Sequence, residues 1–241
     1  MLSVLSVEIR KLNRSLALLL AGLAPALIGV FAFFNLLRGD EPYPWDRLTV
    51  SGLAIWAFFM LPMTVTALTA LVSHMEHGPR AWDHLRALPI RRRDIYGAKA
   101  LCVLGLVAAM TAWTLALTWG AGWAAGAVKP AVAPSGALDV AAGVRLGGLI
   151  VLASVLMIAI QFWVALRFAS FVPALAVGIG GTFFAVVATS AKQGAFFPWT
   201  MAVNMLATEP WRMQAALALG AGLGAAALLA AIAHLSRREV R

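Results

Sequence analysis

The residues able to do chemistry are concentrated in one polar stretch, residues 74–99, reading HMEHGPRAWDHLRALPIRRRDIYGAK. His74, His77 and His84 stand there beside Glu76, a donor set that invites a metal, but their spacing matches no zinc signature and no metal ligands are assigned. No Gly-x-Ser occurs anywhere, so a serine nucleophile has no elbow to sit on, and no catalytic residues are assigned. There is also no Gly-x-x-x-x-Gly-Lys-Ser/Thr loop, so the chain is expected to bind no cofactor and to hold no ATP by itself; ATP-driven work would fall to a partner.

What the stretch does carry is docking chemistry. Residues 79–88 form a predicted helix: Pro79 is tolerated at a first turn, where its missing N–H would have no partner, and Pro89 ends the helix at or before Leu88. Trp82 and Leu85 are three apart and share a face with Leu88 or Pro89, while Arg80, Asp83 and Ala87 turn away. A tryptophan-led apolar stripe on a short exposed helix predicts a surface that docks into something.

The elements that must hold this stretch are apolar. The chain has 241 residues, 62% hydrophobic and 12% charged. A soluble domain carries about 25% charged residues, so this composition predicts a membrane protein. Charge-free runs give six predicted spans, at approximately 15–37, 48–73, 100–124, 146–166, 171–191 and 213–235, within one transmembrane domain covering 1–241. The first run, 23 residues long, exceeds a signal-peptide core of about 7–15 and reads as an uncleaved helix. The expected fold is all-α and polytopic. Residues 195–211, apolar but broken by Pro198 and Pro210, are expected to lie in the outer interface or re-enter it, as a gate or as a plain cap.

Charge sets the expected orientation. With both termini in the cytoplasm, thirteen of the nineteen basic residues fall inside and six outside. The net charge of +9 is then explained by the positive-inside bias, and no nucleic-acid partner is needed. Cys102, the single cysteine, permits no intrachain disulfide and reads as a small buried hydrophobe.

No acid or base falls at mid-span, which argues against an ion-coupled carrier. Among the polar residues in the spans, threonines and serines read as helix-packing hydroxyls, whereas Gln161 and Asn35 are candidate pathway groups. Three small-residue pairs, Gly122 with Gly126, Gly143 with Gly147 and Gly220 with Gly224, predict close helix packing.

The 74–99 stretch also resembles a family. An acidic residue just past the second span, then Gly, Trp and Leu, a Leu-Pro-x-Arg, and Tyr and Lys leading into the third span are similar to the first cytoplasmic loop of type-2 ABC exporter permeases; here these are Glu76, Gly78, Trp82, Leu85, Leu88, Pro89, Arg91, Tyr96 and Lys99. The chain resembles in particular the compact bacterial permeases that export bacteriocins, lantibiotics, peptide antibiotics and drugs. The resemblance implies a non-enzymatic inner-membrane subunit that pairs with a second permease copy, or a homologous one, and with two cytosolic ATPases that bind ATP and Mg. It also implies that Glu76, Gly78, Arg80, Trp82, Leu85, Leu88, Pro89 and Arg91 couple to the ATPase through a coupling helix. Arg91, Arg92 and Arg93 form a denser basic run than the pattern requires, suited to acids on the ATPase or to anionic membrane lipid. The span interiors carry no signature of a particular substrate. Two other classes share the composition: a membrane scaffold or sensor that transports nothing, and, less favoured, a secondary carrier.

Overall fold

The computed structural model describes residues 2–13, 15–77 and 91–237. These residues form helices and connecting turns, with no strand among them beyond one isolated bridge between Pro44 and Ser135. The predicted 79–88 helix lies outside the described residues.

An element that the charge-free runs did not anticipate comes first. Helix α1, Leu2–Leu12, buries Glu8 and Leu12 and exposes Val7 and Ile9. Ser15 joins it to α2, Leu16–Arg38: its hydroxyl donates to the Leu12 carbonyl at 2.6 Å and accepts from the Leu18 N–H, satisfying an orphan donor of the new helix. α2 buries Ala17, Ala24, Ile28, Ala32 and Leu36, yet its outward face, with Leu19, Leu23, Leu27 and Phe31, is equally apolar. A helix apolar all round and covered on one side only is solvated by lipid.

α3, Trp45–Ile55, runs through a wide π turn at Trp56–Met60 into α4, Leu61–His77. Pro62 accounts for the turn: it has no N–H, and its ring crowds the carbonyl four residues back, so the preceding turn widens and the Leu61 N–H bonds to the Trp56 carbonyl. α5, Arg92–Val128, has 37 residues and is about 55 Å long, well beyond the roughly 30 Å of a hydrocarbon core. It packs against α2 where Gly29 meets Leu117, and against α3 where Gly122 meets Trp45 and Leu48. Two indoles bond across the same seam: Trp56 Nε1 donates to Thr111 Oγ1 at 3.0 Å, and Trp119 Nε1 to Thr49 Oγ1 at 2.9 Å.

α6, Val140–Ala153, begins at Asp139, whose carboxylate accepts from the Ala142 N–H at 2.8 Å. At Ser154 the chain bends by 44° into α7, Val155–Arg167. α8, Val172–Ala188, has Pro173 in its first turn. A short helix α9, Met201–Asn204, lies within the connection to α10, Pro210–Leu217, which continues through a π turn, Ala218–Leu223, into α11, Gly224–Arg237.

The bend at Ser154 has a tertiary cause. A Cβ added at Gly220 would stand 2.2 Å from the Ala153 carbonyl oxygen, and one at Gly224 2.5 Å from the Leu156 nitrogen. The last helix therefore rests backbone against backbone on the break, and only glycine permits that approach. The other two glycine pairs are also used inside the chain: Gly126 meets Ala133, Gly143 meets Trp119 and Gly147 meets Leu115 and Thr111.

Among the described residues four helices are long and apolar enough to cross a membrane, beginning at Leu16, Trp45, Arg92 and Pro210; α6 and α7 make a fifth if the bent pair is one crossing. α8, with 17 residues, is shorter than these. Several helices begin earlier than the charge-free runs do. Asp46, Arg47, Lys99, Arg145 and Arg212 lie inside helices, since a charge ends an apolar run without ending the hydrogen-bonded helix that carries it.

Residues 195–211, expected to be interfacial or re-entrant, fold into a compact segment of short helical turns. The Asn204 amide donates to the Ala195 carbonyl at 3.1 Å, and Thr200 Oγ1 donates to the Gly194 carbonyl. Trp199 is buried, stacked on Phe197 at 5.3 Å and facing Gly181 of α8. At the same end of the bundle Lys129 Nζ bonds Asp40 and the Gly39 carbonyl, both at 2.8 Å. Its ammonium holds the Asp40 carboxyl below the ordinary carboxylate value, first by hydrogen bonding and then by charge.

Candidate functional site

The 74–99 stretch leaves one helix and enters another, and the described residues define both ends. α4 carries the chain as far as His77, with Glu76 in its last turn. Arg91, extended at φ −65° and ψ 127°, caps α5, and Arg91, Arg92 and Arg93 are exposed on its first turn, next to Asp94. Gly78, Arg80, Trp82, Leu85, Leu88 and Pro89 lie outside the described residues.

The entry of α5 is fixed by a buried ion pair. Lys99 Nζ lies 2.7 Å from Glu8 Oε2, and Lys11 Nζ 2.8 Å from Glu8 Oε1. Lys99 is fully buried and Glu8 is 4% exposed. A buried ammonium is tolerated only with its charge answered, so the pair fastens α1 across α5, two turns past Arg91. Ser73 fastens the exit of α4 in the same region, donating from its hydroxyl to the Ala165 carbonyl at 2.6 Å. Glu8 and Ser73 were not among the expected site residues, and Lys99 stood only among the positions that carry the family resemblance. Glu8 flanked by Leu5, Ile9 and Leu12 at helical spacing was a readable sign of an amphipathic helix; that its carboxylate meets a lysine 91 positions along was not.

Deeper in the bundle three helices share a polar contact. Gln161 of α7 is fully buried, and its Nε2 donates to Thr66 Oγ1 of α4 at 3.0 Å. The Thr66 hydroxyl is itself committed to the Pro62 carbonyl at 2.8 Å. Both side chains fill the space left by Gly178 of α8, where an added Cβ would stand 2.0 Å from Thr66 Oγ1. Gln161 Oε1 has no hydrogen-bond partner, and an unmade bond of that kind costs about 1–3 kcal/mol. Asn35, the other candidate pathway group, is exposed on α2 near Arg38, and the structure does not bring it to Gln161.

Among the described residues, cavities open on the surface of the bundle. One of about 570 Å³ lies between α1, α2 and α5, with Ile9, Leu18, Leu101 and Gly105 in its walls and Arg10 and Asn13 at its polar side. Another, about 510 Å³, runs between α5 and α6 and includes Arg145.

Neither the curated proteins nor the solved structures contain a match. The family model described as ABC-2 family transporter protein matches residues 4–189, a stretch that runs from α1 through α8 and includes both ends of the polar segment. With most of its length matched and its helices apolar and long enough to cross a bilayer, this chain belongs to the ABC-2 transporter family of multi-pass membrane permeases.

Proposed function

We propose that the chain is the membrane-spanning subunit of an ATP-driven exporter, working as a dimer with a second copy or a homologous permease and with two separate cytosolic ATPase subunits that supply ATP and Mg. The observation that carries this reading is the family match across residues 4–189. In support, the segment with the tryptophan-led stripe joins two helices anchored by Ser73 and by the Glu8–Lys99 pair, so a push on it would pass into α4 and α5 as rigid elements. The topology is six crossings with both termini in the cytoplasm, α6 with α7 forming the fourth and α8 the fifth. The substrate is amphipathic or apolar, because the helices offer few polar side chains. Among those is Gln161, whose uncommitted oxygen is available to a passing donor once α8 moves off Thr66.

The test is substitution of the stripe. Trp82→Glu with Leu85→Glu is expected to leave the protein in the membrane but to reduce ATPase co-purification and permease-stimulated ATP hydrolysis at least tenfold. Assembly and hydrolysis equal to the parent would refute the coupling role. ATP-dependent uptake of an amphipathic peptide into inverted vesicles tests direction, and uptake driven by an ion gradient without ATP would instead indicate a carrier.

A further inference from the structure

The charge-free runs placed Arg145 in an aqueous connection, but it lies within α6, five residues past Val140, which is about 7.5 Å along the helix. Its neighbours in α6 give its depth. Gly143 packs on Trp119, and Gly147 on Leu115 and Thr111, so Arg145 is level with residues 115–119 of α5. That level is nine to thirteen residues, or about 14–20 Å, from the end of α5 at Val128. α2 gives the same answer independently: Gly29, which meets Leu117, is nine residues from Arg38. The backbone of Arg145 therefore lies inside the apolar zone, against the expectation that no acid or base falls at mid-span.

From that depth the arginine side chain leans toward the N-terminus of α6 and reaches the interface, where it takes an anion, and the described residues offer it none within ion-pair distance. No acidic residue occurs between positions 95 and 138 or between 140 and 208. The nearest acids in sequence sit at helix starts, Asp139 as the cap of α6 and Asp46 in the first turn of α3. A second copy of the chain would bring no carboxylate to this level either.

Arg145 also lines the trough between α5 and α6. Ala108, Ala112 and Gly148 keep the trough open, Val144 and Leu152 form its apolar rim, and all five are exposed. The rim belongs to the surface that faces hydrocarbon. We infer that this trough is a binding site for an anionic phospholipid, with an acyl chain lying along Ala108, Ala112 and Gly148 and the phosphate held by the Arg145 guanidinium, whose planar fork matches two phosphate oxygens. The site depends on neither the direction of transport nor an ATPase.

Two variants separate the anchor from the trough. Arg145→Gln removes the cation. Gly148→Leu fills the trough without touching the charge, and it is compatible with the fold because a Cβ at Gly148 meets nothing within 4 Å. Each protein would be purified in mild detergent, supplied with equal phosphatidylglycerol and phosphatidylcholine, and examined by native mass spectrometry. The parent is expected to retain one phosphatidylglycerol with at least tenfold preference over phosphatidylcholine, and each variant to lose that adduct. Equal retention in all three proteins would overturn the site. So would variants that bind lipid as the parent does but dissociate to monomers, because the trough would then hold a second copy.

Discussion

Lys99 and Glu8 pose the sharpest energetic question at the scale of single residues. An exposed pair contributes about 0–1 kcal/mol, whereas removing one partner of a buried pair strands the other charge and costs about 3–5 kcal/mol. With Lys99 fully buried, Glu8→Gln is expected to destabilise the protein toward that larger amount, and Lys99→Met by less, because Glu8 keeps the Lys11 ammonium at 2.8 Å. In the double variant the loss is expected to fall well short of the two single losses added together, because the one Glu8–Lys99 interaction is then lost once and not twice. Thermal unfolding of the detergent-solubilised protein, followed by the loss of a monodisperse peak, measures all three. Strict additivity would mean that the two charges do not act on each other. The sequence suggested a docking pattern, which lies outside the described residues, and did not suggest the ion pair. Trp82, Leu85 and the prolines around them form a local pattern, readable because helix periodicity and proline geometry act over a few residues. A lysine at the end of a charged stretch looks like one more solvated charge, and its burial depends on a helix 91 residues away, which no local pattern encodes.

Among the elements, the last helix and the α6–α7 break determine each other. Nothing in residues 149–159 announces a break, for they contain neither glycine nor proline. The cause lies in Gly220 and Gly224, where the π turn of the last helix comes within backbone contact of Ala153, Val155 and Leu156. The glycine spacing was legible as a packing motif; its partner was not, since four-residue spacing fixes a face and leaves open which helix it meets. A carbonyl oxygen on a helix cannot swing aside as a side chain can, so Gly220→Val is expected to cost about 3 kcal/mol, at the upper end of overpacking, or to prevent folding. Gly222→Val, in the same turn but with nothing within 4 Å of its added Cβ, is the matched control and should change stability by less than about 1 kcal/mol. Comparable losses in both variants would mean that the turn requires glycine for its backbone and not for its contact with Ala153.

For the molecule as a whole, low charge density and long apolar runs made an all-helical membrane protein legible, because a bilayer admits only helices and closed barrels and runs of about 20 apolar residues fit helices. The number of crossings was less legible, because it rests on α8. Seventeen residues of helix extend about 26 Å, short of a hydrocarbon core of about 30 Å, so α8 crosses only where the bilayer thins or where residues 189–191 extend the apolar length. Its exposed Phe183, Phe184 and Val187 match a lipid-facing wall, and the four residues between the end of α7 and its start leave room only for a tight reversal. If α8 crosses, residues 168–171 and 189–193 lie on opposite faces of the membrane. If it does not, both lie on one face and the C-terminus emerges opposite the N-terminus. Replacing Cys102 with serine leaves a background free of native thiols. On that background, an impermeant maleimide added to intact cells is expected to label Lys192→Cys but not Ser170→Cys, with Ser170→Cys labelled only after the membrane is opened. Labelling of both sites in intact cells, or of neither, would reduce the crossings to five and place the two termini on opposite sides. That outcome would break the even count while leaving the Glu8–Lys99 anchor and the Arg145 trough as described, because neither depends on where α8 ends.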